Sequence, residues 1–435
     1  MLLLALVLLL GTLFFFRGLG SFYFAGFVAD NLGHFHDDAV CIAQGSLPYS
    51  DAFRECVAVA RKAPARTVVF EYPPATGLLL GLMGLASGAD PMAFQMVFMG
   101  CMFLIMLLIF MIAYNEAEAL RAAHGPDRRA HVFAATAATL LAVGPVALVS
   151  FDLIPAALTL GALLLALRRR SAAAGALLGL AVAFKGYPVV LLPLFAAIAL
   201  KRGRAQGAAG AAGFASVLGA FTLAALLISP SGFAASFAYH SGRGLELNSV
   251  YAALLVLMKY FGVIELAKHF DHGSWNLTGG GVVRMFEAVS TLLLACALLL
   301  GAWRGWALFS QTKNTPESGG AAGRDMDAAL RWAVGVLCLF MVFFKVGSPQ
   351  FLCWIAPFIP LLVLRNGAWI WAVLFVLAGH AGAAVFPHQW AAYAGGLRAA
   401  PAAMLLFGKW ALLVLGISVL SRNRSLDSGP GGVRP

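Results

Sequence analysis

The run MAFQMVFMGCMFLIMLLIFMIAY, residues 92–114, decides the class of this chain. It carries no charge, and as a helix it is about 34 Å long, enough to cross a hydrocarbon core of about 30 Å. Similar runs recur from end to end. Hydrophobic residues fill 61% of the 435 positions and charged residues only 11%, which excludes a water-soluble globular domain and points to many membrane spans. Lys and Arg outnumber Asp and Glu by 30 to 19. In such a chain the basic excess sets topology first, so no nucleic-acid partner is inferred from it.

Upstream, Met1 to Phe16 reads as an uncleaved first span, because it lacks a basic leader region and a small-residue cleavage site. Ala75 to Ala86 is apolar but only about 18 Å long as a helix, so it is expected to be interfacial or re-entrant. Downstream, basic residues gather at Arg121, Arg128 and Arg129, at Arg168 to Arg170, at Lys201, Arg202 and Arg204, around Arg304 to Arg331, at Arg365 and in the tail. Placing these loops in the cytoplasm gives an all-α, polytopic, single-domain membrane protein of about twelve spans with both termini inside. The long stretch 27–91 then lies outside, while 311–327 is expected as a flexible inner loop and 421–435 as an inner tail. The Ala, Gly and Arg richness suits a GC-rich bacterial genome, hence a bacterial plasma membrane.

Two spans read as short hairpins, broken at Lys185-Gly-Tyr-Pro188 and at Lys345-Val-Gly-Ser-Pro-Gln350, each with a lysine at the outer turn. The semi-apolar segment Val250 to Phe261 is expected to lie on the membrane. Lys409 sits alone in the last apolar run, and the sequence offers it no partner.

The first polar break, His34 to Pro74, holds His34-Phe-His-Asp-Asp38, then Gln44-Gly-Ser-Leu-Pro-Tyr49, Asp51, Arg54 and Glu71-Tyr-Pro-Pro74. Topology brings it to one side with Asp152, Lys185, Tyr187, His240, Arg243, Lys345 and Gln350. Ionisable groups at membrane depth are expensive, so lysines at two hairpin turns suggest a cavity with an anionic guest. A carboxylate on the loop and cations at the rim suit displacement of a phosphate from a lipid-linked sugar. Phosphate leaves without a general acid if positive charge meets its oxygens, and one carboxylate then serves as base.

Asp37 and Asp38 are the candidate bases; Lys185, Lys345 and Arg243 are candidate ligands of the donor phosphate. Tyr49, Asp51, Glu71, Tyr72, Tyr187, His240 and Gln350 are candidates for positioning substrate or loop. Asp152, opening a span, reads equally as a helix cap or a ligand. Before two prolines Tyr72 is pushed to extended backbone, and Pro74 suits a first helical turn. His34 and His36 beside two acids could bind a divalent cation, but these four neighbours have no distant ligand, so a metal is not favoured and no cofactor is expected. Cys41 and Cys56 both fall in the outer stretch and are able to pair if it faces an oxidising compartment; the other four cysteines lie in apolar runs.

On these residues the chain resembles a known family. An Asp after the first span, G-x-L-P-Y-x-D, E-Y-P-P, A-G-x-L-x-G-L-A-x-x-x-K-x-x-P (Ala174 to Pro188) and K-x-x-S-P-Q-F-x-x-W (Lys345 to Trp354) look like the GT-C glycosyltransferases. More narrowly they resemble glycosyltransferase family 87, the polyprenol-phosphate-mannose-dependent mannosyltransferase-like proteins. The resemblance implies a GT-C-like fold, a polyprenyl-phosphate-linked donor of mannose or another hexose or pentose, and a glycolipid or glycan acceptor. It also implies inversion at the anomeric carbon, an outer-face site in the lipid bilayer, and a catalytic Asp matching Asp38 or its neighbour Asp37. The rival from another class is a transporter or flippase of a lipid-linked anion, for which the two lysine-bearing hairpins are a faint repeat.

Overall fold

The computed structural model describes residues 21–122, 127–310, 319–366, 369–397 and 400–421. The expected first span, positions 311–318 of the inner loop and the tail from 422 lie outside the described residues. The described chain begins with α1 (Ser21–Ala43), α2 (Asp51–Arg61) and α3 (Pro74–Ser87), followed by the long helix α4 (Pro91–Ala122). Then come α5 (Arg129–Val143), α6 (Leu153–Leu167), the hairpin α7 (Ser171–Phe184) and α8 (Leu192–Lys201), and α9 (Arg204–Ile228). The second half has α10 (Pro230–Gly242), β1 (Leu245–Glu246), α11 (Val250–Tyr260), β2 (Ala267–Asp271), β3 (Ser274–Thr278) and α12 (Gly280–Ser310). It closes with α13 (Gly319–Phe343), α14 (Ile359–Asn366), α15 (Trp369–Ala383), α16 (Trp390–Gly396) and α17 (Ala400–Ser421).

The protein is thus overwhelmingly helical, as expected of an integral membrane chain. Five helices among the described residues are long and apolar enough to cross a membrane: Pro91–Ala122, Arg204–Ile228, Gly280–Ala307, Asp325–Phe343 and Trp369–Phe386. The expectation of about twelve counted short arms as well, and helices such as Leu153–Leu167 or Ser171–Phe184 rise only about 20–23 Å. Lipid-facing surface is plain on α9 and α12, where Leu223, Leu227, Leu292, Leu299 and Trp303 are exposed.

Local sequence explains the element ends. Ser50 caps α2 by accepting a hydrogen bond from the Phe53 amide at 3.1 Å, and Lys62 ends the helix in the left-handed region at φ 51°. Pro73 is extended and Pro74 occupies the first turn of α3, as expected.

The motif glycines have a packing reason. A Cβ on Gly175 would lie 1.9 Å from the Gly210 carbonyl oxygen, and one on Gly179 would lie 2.7 Å from that of Phe214. Helices α7 and α9 therefore touch backbone to backbone. That is how spans associate where lipid tails remove the hydrophobic drive.

The ends of several helices are stitched by charge. Lys201 reaches Asp325 at 2.8 Å, Arg365 reaches Asp327 at 2.6 Å, and Arg168 pairs with Glu116. Arg202 donates to the Leu167 carbonyl at 2.7 Å, satisfying an orphan acceptor at the end of α6. Within the expected loop 311–327, α13 starts at Gly319, and Asp325 and Asp327 are engaged by Lys201 and Arg365.

Two features between Leu245 and Thr278 depart from expectation. A three-stranded antiparallel sheet, ordered β1-β3-β2, closes around a two-residue turn at His272 and Gly273, whose φ angles are 50° and 66°. An X-Gly pair with both φ positive between alternating strands is the hairpin turn that matches strand twist. Helix α11 does not lie free on the membrane: Tyr251, Ala252, Ala253, Leu255 and Val256 are buried in one apolar cluster with Ala402, Ala403 and Leu406 of α17. Trp410 of α17 donates to the Asn248 carbonyl at 3.1 Å. Lys409 is buried over the Trp410 ring at 4.3 Å and lies within electrostatic reach of Glu246.

Gly175→Val tests the α7–α9 contact. It should destabilise the protein by about 1–3 kcal/mol or more through overpacking, whereas Gly219→Val, in open space on the same α9, should leave the thermal midpoint in detergent nearly unchanged.

Candidate active site

The site is built from two anchored ends and the charged surface between them. At the first end, α1 carries His34, His36, Asp37 and Asp38 on its polar turn. Asp38 is buried, with 5% of its surface exposed, and accepts a hydrogen bond from Arg61 at 2.6 Å. The same guanidinium donates to the His34 carbonyl at 2.8 Å and stands 3.5 Å from Asp37. Burial pushes the Asp38 carboxyl up to about 7, with Arg61 opposing the rise and Glu71 and Asp37 adding to it. Asp37 is half-exposed beside His36 at 3.8 Å. His36 also packs edge-on against Phe94 and meets the Ala89 carbonyl at 3.3 Å. Among the described residues no three His, Cys, Asp or Glu side chains are placed to hold a metal ion.

Helix α2, which brings Arg61, is fixed by an apolar face of Phe53, Val57 and Ala58 and by a disulfide between Cys41 and Cys56. The pairing that the sequence left open is therefore made. Tyr49, with φ 72°, is buried, and its hydroxyl donates to the Tyr72 carbonyl at 2.6 Å. Tyr72 packs edge-on against Phe70 and Phe151. Both tyrosines hold the connector in place. Asp51 is exposed at the start of α2 and pairs with Arg54, so the structure leaves it on the surface.

The second end is a buried carboxylate. Asp152 is 1% exposed and does not cap α6; it accepts from Lys185 at 2.7 and 2.8 Å, from the Trp354 indole at 2.5 Å and from Ser150. Trp354 stacks on Tyr187 at 4.1 Å and on Phe351 at 4.0 Å. The lysine of the first hairpin motif and the tryptophan of the second thus meet on one acid. Lys185, expected at the donor phosphate, spends its charge on Asp152, while Tyr187 is buried as the stacking partner.

Between the ends runs a polar seam. His240 bonds the Glu71 carbonyl at 2.8 Å. The Glu71 carboxylate acts on Asp38, His34, Tyr72, Tyr239 and His240. Burial lowers His240, keeping its imidazole neutral near pH 7. Burial also holds the Tyr72 and Tyr239 phenols protonated, with Glu71 adding to the effect. Arg243 has a buried Nε with no hydrogen-bond partner. Its carbonyl accepts from Lys345, which is half-buried and lowered mainly by desolvation. The second motif's turn is held from below, since buried Glu246 accepts from the Gly347 amide at 2.9 Å and from Ser348 at 3.1 Å. Gln350 is half-buried just beyond, in the tight 3-10 segment Pro349–Trp354.

The sequence profile of glycosyltransferase family 87 matches residues 70–322, more than half of the chain. The chain belongs to glycosyltransferase family 87. The match takes in Glu71-Tyr-Pro-Pro74, Asp152, Lys185, His240 and Arg243, but neither Asp37, Asp38 nor the Lys345 to Trp354 motif. No curated protein and no solved structure matches the chain.

The sequence reading did not single out Arg61, Tyr239, Glu246 or Trp354's bond to Asp152 in this glycosyltransferase. Arg61 had a readable signal, the strong amphipathicity of residues 51–61, but nothing in the spacing names its partner. Breaking the Asp152 pair should be costly, because either survivor is left as a buried, uncompensated charge. Lys185→Met and Asp152→Asn are each expected to cost about 3–5 kcal/mol. The double variant should lose less than the sum in thermal unfolding; additive losses would show that the two side chains act separately.

Proposed function

We propose that this chain is an inverting, polyprenyl-phosphate-sugar-dependent glycosyltransferase. It acts at the outer face of the plasma membrane and transfers a hexose or pentose, mannose foremost, to a glycolipid or glycan acceptor. The observation that carries the reading is Asp38: a buried carboxylate with one oxygen held by Arg61, poised near pH 7 at one end of a seam that carries the cations Arg243 and Lys345. A general base works best with a pKa near the working pH. The disulfide between Cys41 and Cys56 supports an oxidising, outer location for this end.

The chemistry balances with these groups. An acceptor hydroxyl oxygen attacks the anomeric carbon while its proton passes to Asp38, and the bond from that carbon to the phosphate oxygen breaks. The electron pair stays on the departing polyprenyl phosphate, where Arg243 and Lys345 meet the growing charge. Arg243 suits this role because its buried Nε has no protein partner. Lys185 acts through Asp152, holding the Trp354 corner against which the cations stand. Glu71, Tyr72 and His240 position the seam.

Asp38→Asn should lower turnover by about 10²–10⁴-fold with donor binding retained, and Asp37→Asn should be milder. Because the base must be ionised, wild-type activity should fall below pH about 7, by about tenfold per pH unit. Arg243→Met should lower turnover more than donor affinity, since the charge it meets develops in the transition state. The assay is release of free polyprenyl phosphate from a labelled donor in proteoliposomes. An Asp38→Asn variant within about tenfold of wild type, or flipping of intact donor without release, would overturn the reading.

A further inference from the structure

Arg61 is drawn to the candidate base by an arrangement more constrained than a surface ion pair. It is the last residue of α2, one helical turn beyond the disulfide that joins Cys56 to Cys41 of α1, and 24% of its side chain is exposed. Its Nη2 donates both to Asp38 at 2.6 Å and to the His34 carbonyl at 2.8 Å, so one guanidinium spans a full turn of α1. Its Nε, buried and without a hydrogen bond, faces Asp37 at 3.5 Å. We infer that Arg61 is a positioning residue: α2, clamped to α1 by the disulfide, presents a fixed fork that occupies Oδ1 of Asp38 and leaves Oδ2 to take the acceptor's proton.

The inference rests on Asp38 as the base. The groups acting on Asp38 are Arg61 from α2, Glu71 and Tyr72 from the connector before α3, and Asp37 on its own helix. Glu71 and Asp37 are like charges that resist ionisation of Asp38, and Arg61 is the cation among them. Without Arg61 the carboxylate would be harder to form, and the chain would need a more alkaline medium to work. A merely structural arginine would not show this, because loss of fold lowers activity at every pH alike.

The test is the pH profile of kcat/KM in proteoliposomes for wild type, Asp38→Asn, Arg61→Met, Arg61→Lys and the Cys41→Ser, Cys56→Ser double variant. Arg61→Met should move the acidic limb upward by about 1–2 pH units, with turnover recovering on the alkaline side. Arg61→Lys should shift it less but still lose turnover, because a single ammonium cannot meet Asp38 and the His34 carbonyl as Nη2 does while a second nitrogen, like Nε, stands 3.5 Å from Asp37. The disulfide-free variant should move the limb the same way by a smaller amount. An inactive Asp38→Asn together with an unmoved Arg61→Met limb would overturn the role of Arg61 and leave the base intact. An active Asp38→Asn would overturn both. Should Arg61→Met not accumulate, Arg61→Lys decides, and a wild-type limb with wild-type turnover there refutes the inference.

Discussion

A single carboxylate in the membrane region orders this protein. Asp152 lies almost fully out of water, and an unpaired charge there would be prohibitive, so everything that approaches it must donate. Lys185, Trp354 and Ser150 do so, from three segments that are far apart in sequence. The requirement fixes the depth of the first hairpin turn, and the stack of Tyr187 on Trp354 fixes the second against it. The run of 3-10 turns from Pro349 to Phe358, which breaks the regular α-helix, is tolerated because it is buried in protein.

Glu246 repeats the device on the other side of the seam. Its carboxylate satisfies the Gly347 amide and Ser348, and a Cβ at Gly347 would sit 2.3 Å from the Asn248 carbonyl oxygen. The conformation of the Lys345 turn is thereby specified by an acid that belongs to a different segment. The seam's cations stand on rigid supports, while the His34 to Asp38 end stands on helix, disulfide and aromatic packing. A site whose two poles are held independently keeps their spacing when the polar groups between them move.

Much of the architecture was legible because hydrophobic length and breakers are local signals. The span at 92–114, the hairpin break at Lys185-Gly-Tyr-Pro188 and the start of α3 at Pro74 need only nearest neighbours to be read. The hairpin β2–β3 was also legible in principle, from His272-Gly273 flanked by Lys268, Phe270 and Trp275, but its polar strands were overshadowed by the apolar runs around them. What could not be read was pairing. Asp152 and Trp354 are 202 residues apart, and only the packed structure shows that they share a hydrogen bond. The same holds for Arg61 and Asp38, and it is why Lys185 read as a ligand for phosphate when its nearest anion is an aspartate of the protein itself.

The disulfide that ties α2 to α1 also changes what kind of partner Arg61 is. A side chain carried on a covalently anchored arm meets its target as an intramolecular partner, without the association cost that a dissolved cation bears. Sodium, polyamines or guanidinium in the medium therefore compete at a disadvantage for Asp38. The pair is also partly buried, where mobile ions screen weakly. The immediate surroundings of the carboxylate are in this sense private to the chain, insulated from changes in the ionic composition of the medium.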